Sequence, residues 1–491
     1  MSRRRRVLVV GGGVAGLVAA RALSARCDVV VVEREPTAGG KLATGELRGR
    51  PLDLGPDSFL TRSGAGERLC RELGLGDELV APATSGASVL ARGRVRPLPP
   101  GLVLGVPIDL LALLRSGVIG PSAAVRAAAD LVMPASPRSG DPTIADVVGR
   151  RLGRSVLETL VDPLLGGINA GDSRRLSFAA TAPTLAAAVA GRRSLVAALR
   201  SRPRGAGSHP ERGFGAPDGG SGSDGGSGSA TGSSGSRPAF LGLGGGIASL
   251  AEHLVDDCVR RGVVVRTSTS ADTLERGGEP LVPWRLRCGE EVLPADGVVL
   301  AVPASSAASL LAELDPTLAG ECGAIPYADV VTVALAWPDA AIPRVVLEGA
   351  GSGILVPRPS GRLVTAITRT SAKWPRAANP GETVLRVSAG RDGDLRPSGL
   401  DDDALVAAVR AELLAILGLT AEPLATVVRR WPTSLPQYVS GHLDRVRRIE
   451  ERAAGLGTVA FAGAAYGGIG IPACIESGER AAASVEVLLG K

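Results

Sequence analysis

Aromatic side chains are almost missing: Phe, Trp and Tyr together make up 2% of the 491 residues. The core must therefore be aliphatic, and the shortage argues against modules that read nucleic acid by stacking bases on rings. Lysine is nearly absent as well. Of 55 basic residues, only Lys41, Lys373 and Lys491 are lysine, and the rest are arginine. GC-rich coding explains that bias, and the second reading is an anion-facing surface or pocket, since guanidinium groups hold carboxylates bidentately. Despite a net charge of +6, no basic run is long enough to suggest nucleic acid. Three histidines are too few and too scattered for a metal site. The six cysteines (27, 70, 258, 288, 322 and 474) contain no CxxC pair. Reduced thiols in a cytoplasmic protein are expected, with neither a disulfide frame nor zinc. No clean apolar stretch reaches the roughly 18 residues of a membrane span.

The N-terminus looks at first like an export signal, with Arg3-Arg4-Arg5-Arg6 ahead of VLVVGGGVAGLVAA. Three glycines interrupt the apolar run, and Glu33 follows a second apolar stretch. The reading is strand, turn, helix and strand, not a leader.

What the chain does have is hydrophobic patterning at 45% and 67 glycines. Its length sets a prior of about two to four domains. Val7–Val10 and Val29–Val32 read as buried parallel strands flanking a helix over 14–24. Residues 105–200 are rich in Ala, Leu and Arg and read as helical. Strands are expected at 263–266, 297–302, in three segments of 325–430 (VVTVALAW, RLVTAITRT, TVLRVSAG) and at TVAFAG, with a strong helix over 402–417. LGLGGGIASLAEHLVDDC reads as a turn and a helix. Residues 202–237 carry almost no apolar side chains and read as a flexible linker.

Gly11, Gly13 and Gly16 fill the spaced positions of G-x-G-x-x-G, between a strand and a helix. Gly11 permits the tight turn, Gly13 lets backbone N–H groups approach a pyrophosphate, and Gly16 lets the helix sit close. Glu33, at the end of the next strand, is placed to accept from ribose hydroxyls. A second glycine pair and a cation follow (Gly39-Gly40-Lys41), then the small-residue turn Gly55-Pro56-Asp57-Ser58. Both stations suit FAD rather than NAD. Near the end, Gly467, Gly468 and Gly470 allow the chain to cross a flat ring closely, and Pro472 starts a helix. Cys474 reads as a packed thiol, His253 and His442 as ordinary, and Asp57 and Asp172 as turn-capping.

With those blocks in view, the chain resembles the oxygen-dependent porphyrinogen oxidases, in particular the Gram-positive coproporphyrinogen III oxidase type within the flavin amine oxidases. The resemblance rests on Gly11–Lys41, Gly55–Ser58, Gly166–Asp172 with Leu176-Ser177, and Ala462–Gly478. Leu241–Gly246, Lys373-Trp374-Pro375 and Trp431-Pro432 support it. It implies an α/β fold: a discontinuous Rossmann-like two-dinucleotide-fold FAD-binding domain (1–84, 238–302, 432–491), a mixed-sheet substrate domain (85–108, 303–431) and a helical subdomain (109–201).

The resemblance further implies noncovalent FAD. Gly11, Gly12, Gly13, Val14, Ala15 and Gly16 would meet the pyrophosphate, and Glu33 and Arg34 the adenosine. Lys41, Gly55, Pro56, Asp57 and Ser58 would lie along the flavin. Ile469, Gly470 and Ile471 would sit near the isoalloxazine, with Trp431 flanking it. Ala271 stands where the family usually has an adenine-contacting Val. Gly167, Ile168 and Asn169 would line the substrate cavity, with no side-chain base required.

The implied reaction removes six electrons from coproporphyrinogen III, starting with hydride transfer from a bridging CH₂, with dioxygen as acceptor and hydrogen peroxide released. Protoporphyrinogen is the alternative substrate. Arg92, Arg94, Arg96 and Arg369 are candidate propionate partners. Further expectations are product hand-off to a ferrochelatase and peripheral membrane contact by the 105–200 helices. Deleting 202–237 is expected to leave flavin content and turnover nearly intact, which the flavin-to-protein absorbance ratio and an activity assay will check. Loss of the holo-protein would refute the linker reading.

Overall fold

Val7, Leu8, Val9 and Val10 are all buried, and they bury in two directions. Val7 and Val9 pack with Val29, Val31 and Ala19, whereas Leu8 and Val10 pack with Val298, Leu300 and Trp284. Both faces of this strand are covered, which is why its sequence does not alternate. It is the centre of a five-stranded parallel sheet, in the order Val264–Arg266, Cys27–Val32, Arg5–Val10, Gly297–Leu300, Val459–Phe461. The structure, a computed structural model, describes residues 3–134, 140–201, 238–279, 282–348 and 351–490. The expected linker at 202–237 lies outside the described residues.

One face of the sheet carries the helices Val14–Leu23 and Ile471–Leu489. These two come together without intervening side chains. A Cβ on Gly478 would stand 2.3 Å from the Ala15 carbonyl oxygen, so only glycine allows that approach. The other face carries an antiparallel sheet (Thr273–Glu279, Val282–Cys288, Glu291–Ala295) and the helices Ala304–Leu311 and Pro316–Gly323.

The second layer is a seven-stranded mixed sheet. Its order is Ala425–Pro436, Tyr327–Pro338, Glu382–Ala389, Val364–Arg369, Gly353–Leu355, Ser88–Ala91, Arg94–Pro97. The helix Asp402–Leu417 covers it through Leu405, Val409, Leu413 and Leu417, spaced four apart. Asp401 caps its start by accepting from the Ala404 N–H at 2.8 Å, and Gly418, with φ of 72°, ends it. Both ends agree with the helix read from the sequence.

Residues 110–200 form short helices around a largely aliphatic core in which Phe178 is the only buried aromatic. Two stretches, Ala145–Gly149 and Leu157–Gly166, are wound as π-helix, and the second contains Pro163. Wide turns of this kind relieve a proline and tend to occur beside functional segments.

Several expectations need correction. The helices between 304 and 323 pack on the dinucleotide sheet, so layer membership does not change at 302/303. Strand Ala425–Pro436 continues past the expected boundary at 431/432, although its pairing with Tyr327–Pro338 slips there, between Trp431 and Leu435. Phe240–Leu243, read as part of a turn, is a strand paired with Phe59–Leu60 and Leu79–Val80. The antiparallel sheet at 273–295 was not anticipated, because its alternating charged residues look like loop.

Gly478→Ala is expected to lower unfolding stability by about 1–3 kcal/mol through forced helix separation. Gly455→Ala, where a Cβ meets nothing within 4 Å, should be neutral or slightly stabilising. Urea titration of both variants checks the contrast.

Candidate active site

The opening turn is built from backbone. Gly11 has φ of 105°, and a Cβ there would lie 2.6 Å from the Ala301 carbonyl oxygen. A Cβ on Gly16 would lie 2.0 Å from the Gly11 carbonyl oxygen. Gly13 has nothing within 4 Å of its Cβ position and leaves the helix Val14–Leu23 without a side-chain cap or an acidic residue in its first turn. Its free N–H groups form an anion-binding helix start. Glu33 lies beneath, accepting from Gly12 N–H at 2.6 Å and Glu35 N–H at 2.8 Å. Arg34 is exposed and pairs with Glu35 at 3.1 Å.

The second glycine pair docks on the first turn. Gly39 N–H donates to the Gly12 carbonyl at 2.8 Å, and the Cβ position of Gly40 is 3.2 Å from Gly13 Cα. Lys41 follows, exposed at its surface yet with much protein packed around it. That desolvation lowers its pKa, and Cys474, on the closing helix, opposes the shift. Residues 39–41 thus connect the opening turn to the closing one.

Gly55 sits in contact with Lys41: a Cβ there would be 2.1 Å from the Lys41 carbonyl oxygen and 3.6 Å from the Trp431 ring. Trp431 donates from Nε1 to the Leu54 carbonyl at 3.3 Å. Pro56 is half-buried beside it. Asp57 is buried and does not cap a turn. It accepts from Lys373 Nζ at 2.8 Å and Ser58 Oγ at 2.8 Å, with Arg386 at 3.5 Å. Burial alone would raise its pKa, but Lys373 and Arg386 overcome that and hold it well below the usual carboxylate range. It is a fixed anion and a poor base. Asp53 makes a matching set with Arg376 at 2.7 Å, Thr44 at 2.8 Å and Ile247 N–H at 2.8 Å. The sequence reading missed the roles of Asp53, Arg376 and Arg386. Lys373, within the quoted Lys-Trp-Pro block, was the one hint.

The closing turn spans Gly463 to Gly470. Gly463 and Gly468 have φ of 114° and 123°. Ile469 and Gly470 lead into the buried Ile471, and the helix that follows has no side-chain cap. Cys474 packs in its first turn, with Sγ 3.6 Å from the Gly468 carbonyl. Burial raises its pKa to about 11 against a weaker opposing pull from Lys41, so the thiol is unreactive.

The Gly166–Asp172 block follows the π-helical segment. Asn169 is buried, with Nδ2 donating to Leu165 O at 2.7 Å, while Ile168 is 58% exposed and Gly167 has open space. Ala170 is held at φ of 46°. Asp172 caps the turn, accepting from Arg174 N–H at 2.9 Å. Of the candidate propionate partners, Arg92 and Arg94 sit exposed at a hairpin tip, and Arg96 lies against Gly117. Arg369 turns inward to the carbonyls of Gly351 and Leu347 and is unavailable to substrate there. Ala271 is half-buried against the Trp284 cluster, while the backbone just before it runs beside Glu33 through Thr269 N–H at 2.8 Å.

His253 bonds within its own helix, Nδ1 lying 2.9 Å from the Ser249 carbonyl. All six cysteines are free. Among the described residues no His/Cys/Asp/Glu group could hold a metal, and no helix is long and apolar enough to cross a membrane.

Two uncapped helix starts, a carboxylate under the first, and glycine-only approaches between them fit a dinucleotide whose flavin end reaches the closing turn. This arrangement defines a two-layer flavin-dependent oxidoreductase. The family description Flavin containing amine oxidoreductase matches residues 14–486, and the chain belongs to that family; its cofactor is FAD. The chain is 36% identical to coproporphyrinogen III oxidase of Propionibacterium freudenreichii subsp. freudenreichii, covering 98% of this chain and 90% of that one. It is 31% identical to coproporphyrinogen III oxidase of Bacillus subtilis (strain 168), covering 97% of each. A crystal structure from Exiguobacterium sp. 255-15, provisionally assigned as a protoporphyrinogen oxidase, superposes with a TM-score of 0.83 at 29% identity, covering 99% of this chain and all of that one.

One group here gives a pH signature. His442 is buried, stacked on Tyr438 with ring centroids 4.2 Å apart. Burial lowers its pKa from 6.5 to about 4, with Arg445 adding to the shift, and the Ala465 backbone and Asp141 opposing it. The unfolded chain binds a proton below 6.5 while the folded one does not, so stability should be intact above that pH. It should fall between about pH 6.5 and 4, by up to roughly 3 kcal/mol. His442→Phe should remove this limb and leave the acid limb of Asp57, which begins below the ordinary Asp value of 3.8; urea titrations carried from neutral pH to below that value will check both.

Proposed function

We propose that this protein oxidises coproporphyrinogen III to coproporphyrin III, passing six electrons to three dioxygen molecules and releasing three hydrogen peroxide. The observation that carries this reading is the full-length similarity to coproporphyrinogen III oxidases, supported by the Gly166–Asp172 block, whose Asn169 carbonyl is held by Gln437. FAD, when bound, accepts a hydride equivalent from the substrate and returns electrons to dioxygen.

The chain's own residues bind and orient. The Gly11–Gly16 turn, made of Gly11, Gly12, Gly13, Val14, Ala15 and Gly16, would hold the pyrophosphate through its backbone other than the Gly12 N–H, which is given to Glu33, and Glu33 and Arg34 would meet the adenosine side. Ala271 lies near the adenine through the segment beside Glu33. Lys41 and Gly55–Ser58 line the flavin, Trp431 flanks it, and Ile469, Gly470 and Ile471 approach its ring. Asp57, fixed as an anion by Lys373 and Arg386, keeps the Gly55–Ser58 turn in place rather than moving a proton. Gly167, Ile168 and Asn169 face the tetrapyrrole, and pyrrole N–H tautomerism releases protons without a dedicated base. The cofactor is held noncovalently, in keeping with the unreactive Cys474.

The same proposal includes hand-off of product to a ferrochelatase and peripheral membrane contact. Exposed Leu111, Leu114, Val125 and Val132 on the 110–132 helices support the contact. Protoporphyrinogen IX oxidation is the second reading, favoured by the Exiguobacterium structure and by 28% identity to the chloroplastic protoporphyrinogen oxidase 1 of Spinacia oleracea. Purified holo-protein is expected to turn over coproporphyrinogen III at least about tenfold faster in kcat/KM than protoporphyrinogen IX. Product fluorescence and peroxide yield measure this. A preference for protoporphyrinogen would install the second reading, and inactivity on both would remove the two together.

A further inference from the structure

Only three tyrosines occur in the chain, and one of them, Tyr438, lies between the closing turn and the Gly166–Asp172 block. It belongs to the short segment 437–442 that links the end of strand Ala425–Pro436 to the helix His442–Leu456. On one side the segment grips the closing turn. The Tyr438 hydroxyl donates to the Ala464 carbonyl and is met by the Gly468 backbone N–H. The His442 ring, stacked on Tyr438, hydrogen-bonds the Ala465 backbone. On the other side it grips the block that faces substrate. Gln437 Nε2 donates to the Asn169 carbonyl at 2.8 Å, Ser177 N–H donates to the Tyr438 carbonyl at 2.7 Å, and Ser440 N–H donates to the Arg175 carbonyl at 3.1 Å. Gly441 N–H is held by Asp141 at 2.8 Å. Gln437 and Tyr438 are nearly fully buried, so these bonds are shielded from competing water.

We infer that residues 437–442 form a two-sided clamp in which Tyr438 and His442 position the turn at the flavin ring and Gln437 positions the backbone at the tetrapyrrole. The clamp sets the separation between hydride donor and acceptor, a distance on which transfer depends steeply. Tyr438, His442 and Gln437 are therefore positioning residues, acting through the backbone segments they hold. The two sides are separable, because Tyr438 and Gln437 point their polar atoms at different segments. The inference rests on the proposed placement of flavin and substrate, and its spectroscopic readout needs no substrate.

In Tyr438→Phe the ring and its stacking remain while the hydroxyl is lost. The holoenzyme is expected to keep its flavin content but to shift its visible flavin bands and midpoint potential. Its kcat should fall about tenfold with KM within about twofold, as loss of one buried hydrogen bond predicts. Gln437→Met should do the reverse, raising KM about tenfold while leaving flavin bands and potential unchanged. His442→Phe, which keeps a ring but loses the Ala465 bond, should shift the flavin bands in the same direction as Tyr438→Phe and by less. Should Tyr438→Phe not yield folded protein, His442→Phe and Gln437→Met decide the matter. Unchanged flavin bands and potential in the folded Tyr438 or His442 variants overturn the clamp, as does a Gln437→Met effect on bands and kcat rather than KM. If the spectra shift as expected while wild-type enzyme ignores both porphyrinogens, the flavin side of the clamp stands, and the substrate reading fails together with the role given to Gln437.

Discussion

Everything at this site depends on backbone meeting backbone. Gly16 against Gly11, Gly55 against Lys41, Gly478 against Ala15 and Gly11 against Ala301 are approaches at which a Cβ would stand 2.0 to 2.6 Å from a carbonyl oxygen. Each is between segments that fold as rigid elements, so none can relax by rotating a side chain. Together they fix the two uncapped helix starts relative to one another, and the space between them is defined by main chain rather than by adaptable side chains. A long, stiff, doubly charged cofactor suits such a frame, because the N–H groups that neutralise it are already ordered.

The second layer is tied to this frame by charge. Asp53 and Asp57 on the turn after the second glycine pair are buried, and their partners Arg376, Lys373 and Arg386 all come from the mixed sheet and its connections. Buried ion pairs of this kind add little net stability, because desolvation offsets attraction, but leaving one charge unpaired is costly. They therefore act as a register lock between layers. Gly246 belongs to the same junction: with φ of 104° and its Cβ position 2.8 Å from Thr44 Oγ1 and 3.0 Å from Asp53 Oδ1, it leaves no room for a side chain. The segment from Gln437 to His442 supplies a second tie, made of neutral hydrogen bonds, between the closing turn and the block after the π-helical stretch.

The legible parts of the sequence were those with a local cause. The β-turn-α-β opening, the helix over 402–417 with its Asp cap and Gly stop, and the closing glycine turn with its following helix all lie where periodicity and glycine spacing put them. The strand run Thr273–Ala295 was not legible, because its charged alternation resembles loop and only packing on the parallel sheet makes it a sheet. Arg369 showed the opposite failure. An arginine near a substrate region reads as an anion partner, yet this one is turned inward to two carbonyls. His442 read as ordinary because its surroundings cannot be seen in the sequence: its significance comes from burial, a stack on Tyr438 four positions back and a contact with the Ala465 backbone more than twenty positions on.

The sequence by itself determined the cofactor cradle and the identity of its elements. Glycine at fixed spacing leaves a backbone that no other residue permits, and apolar period distinguishes helix from buried strand within a dozen residues. The tertiary structure alone decided which charges are buried in pairs, which arginines face inward, where the layers divide, and how residues 437–442 join the two halves of the site. Those outcomes are set by contacts between positions 18 to 329 apart. The free energy of such a contact depends on the dielectric and the partners that folding supplies, neither of which is written in the neighbouring residues.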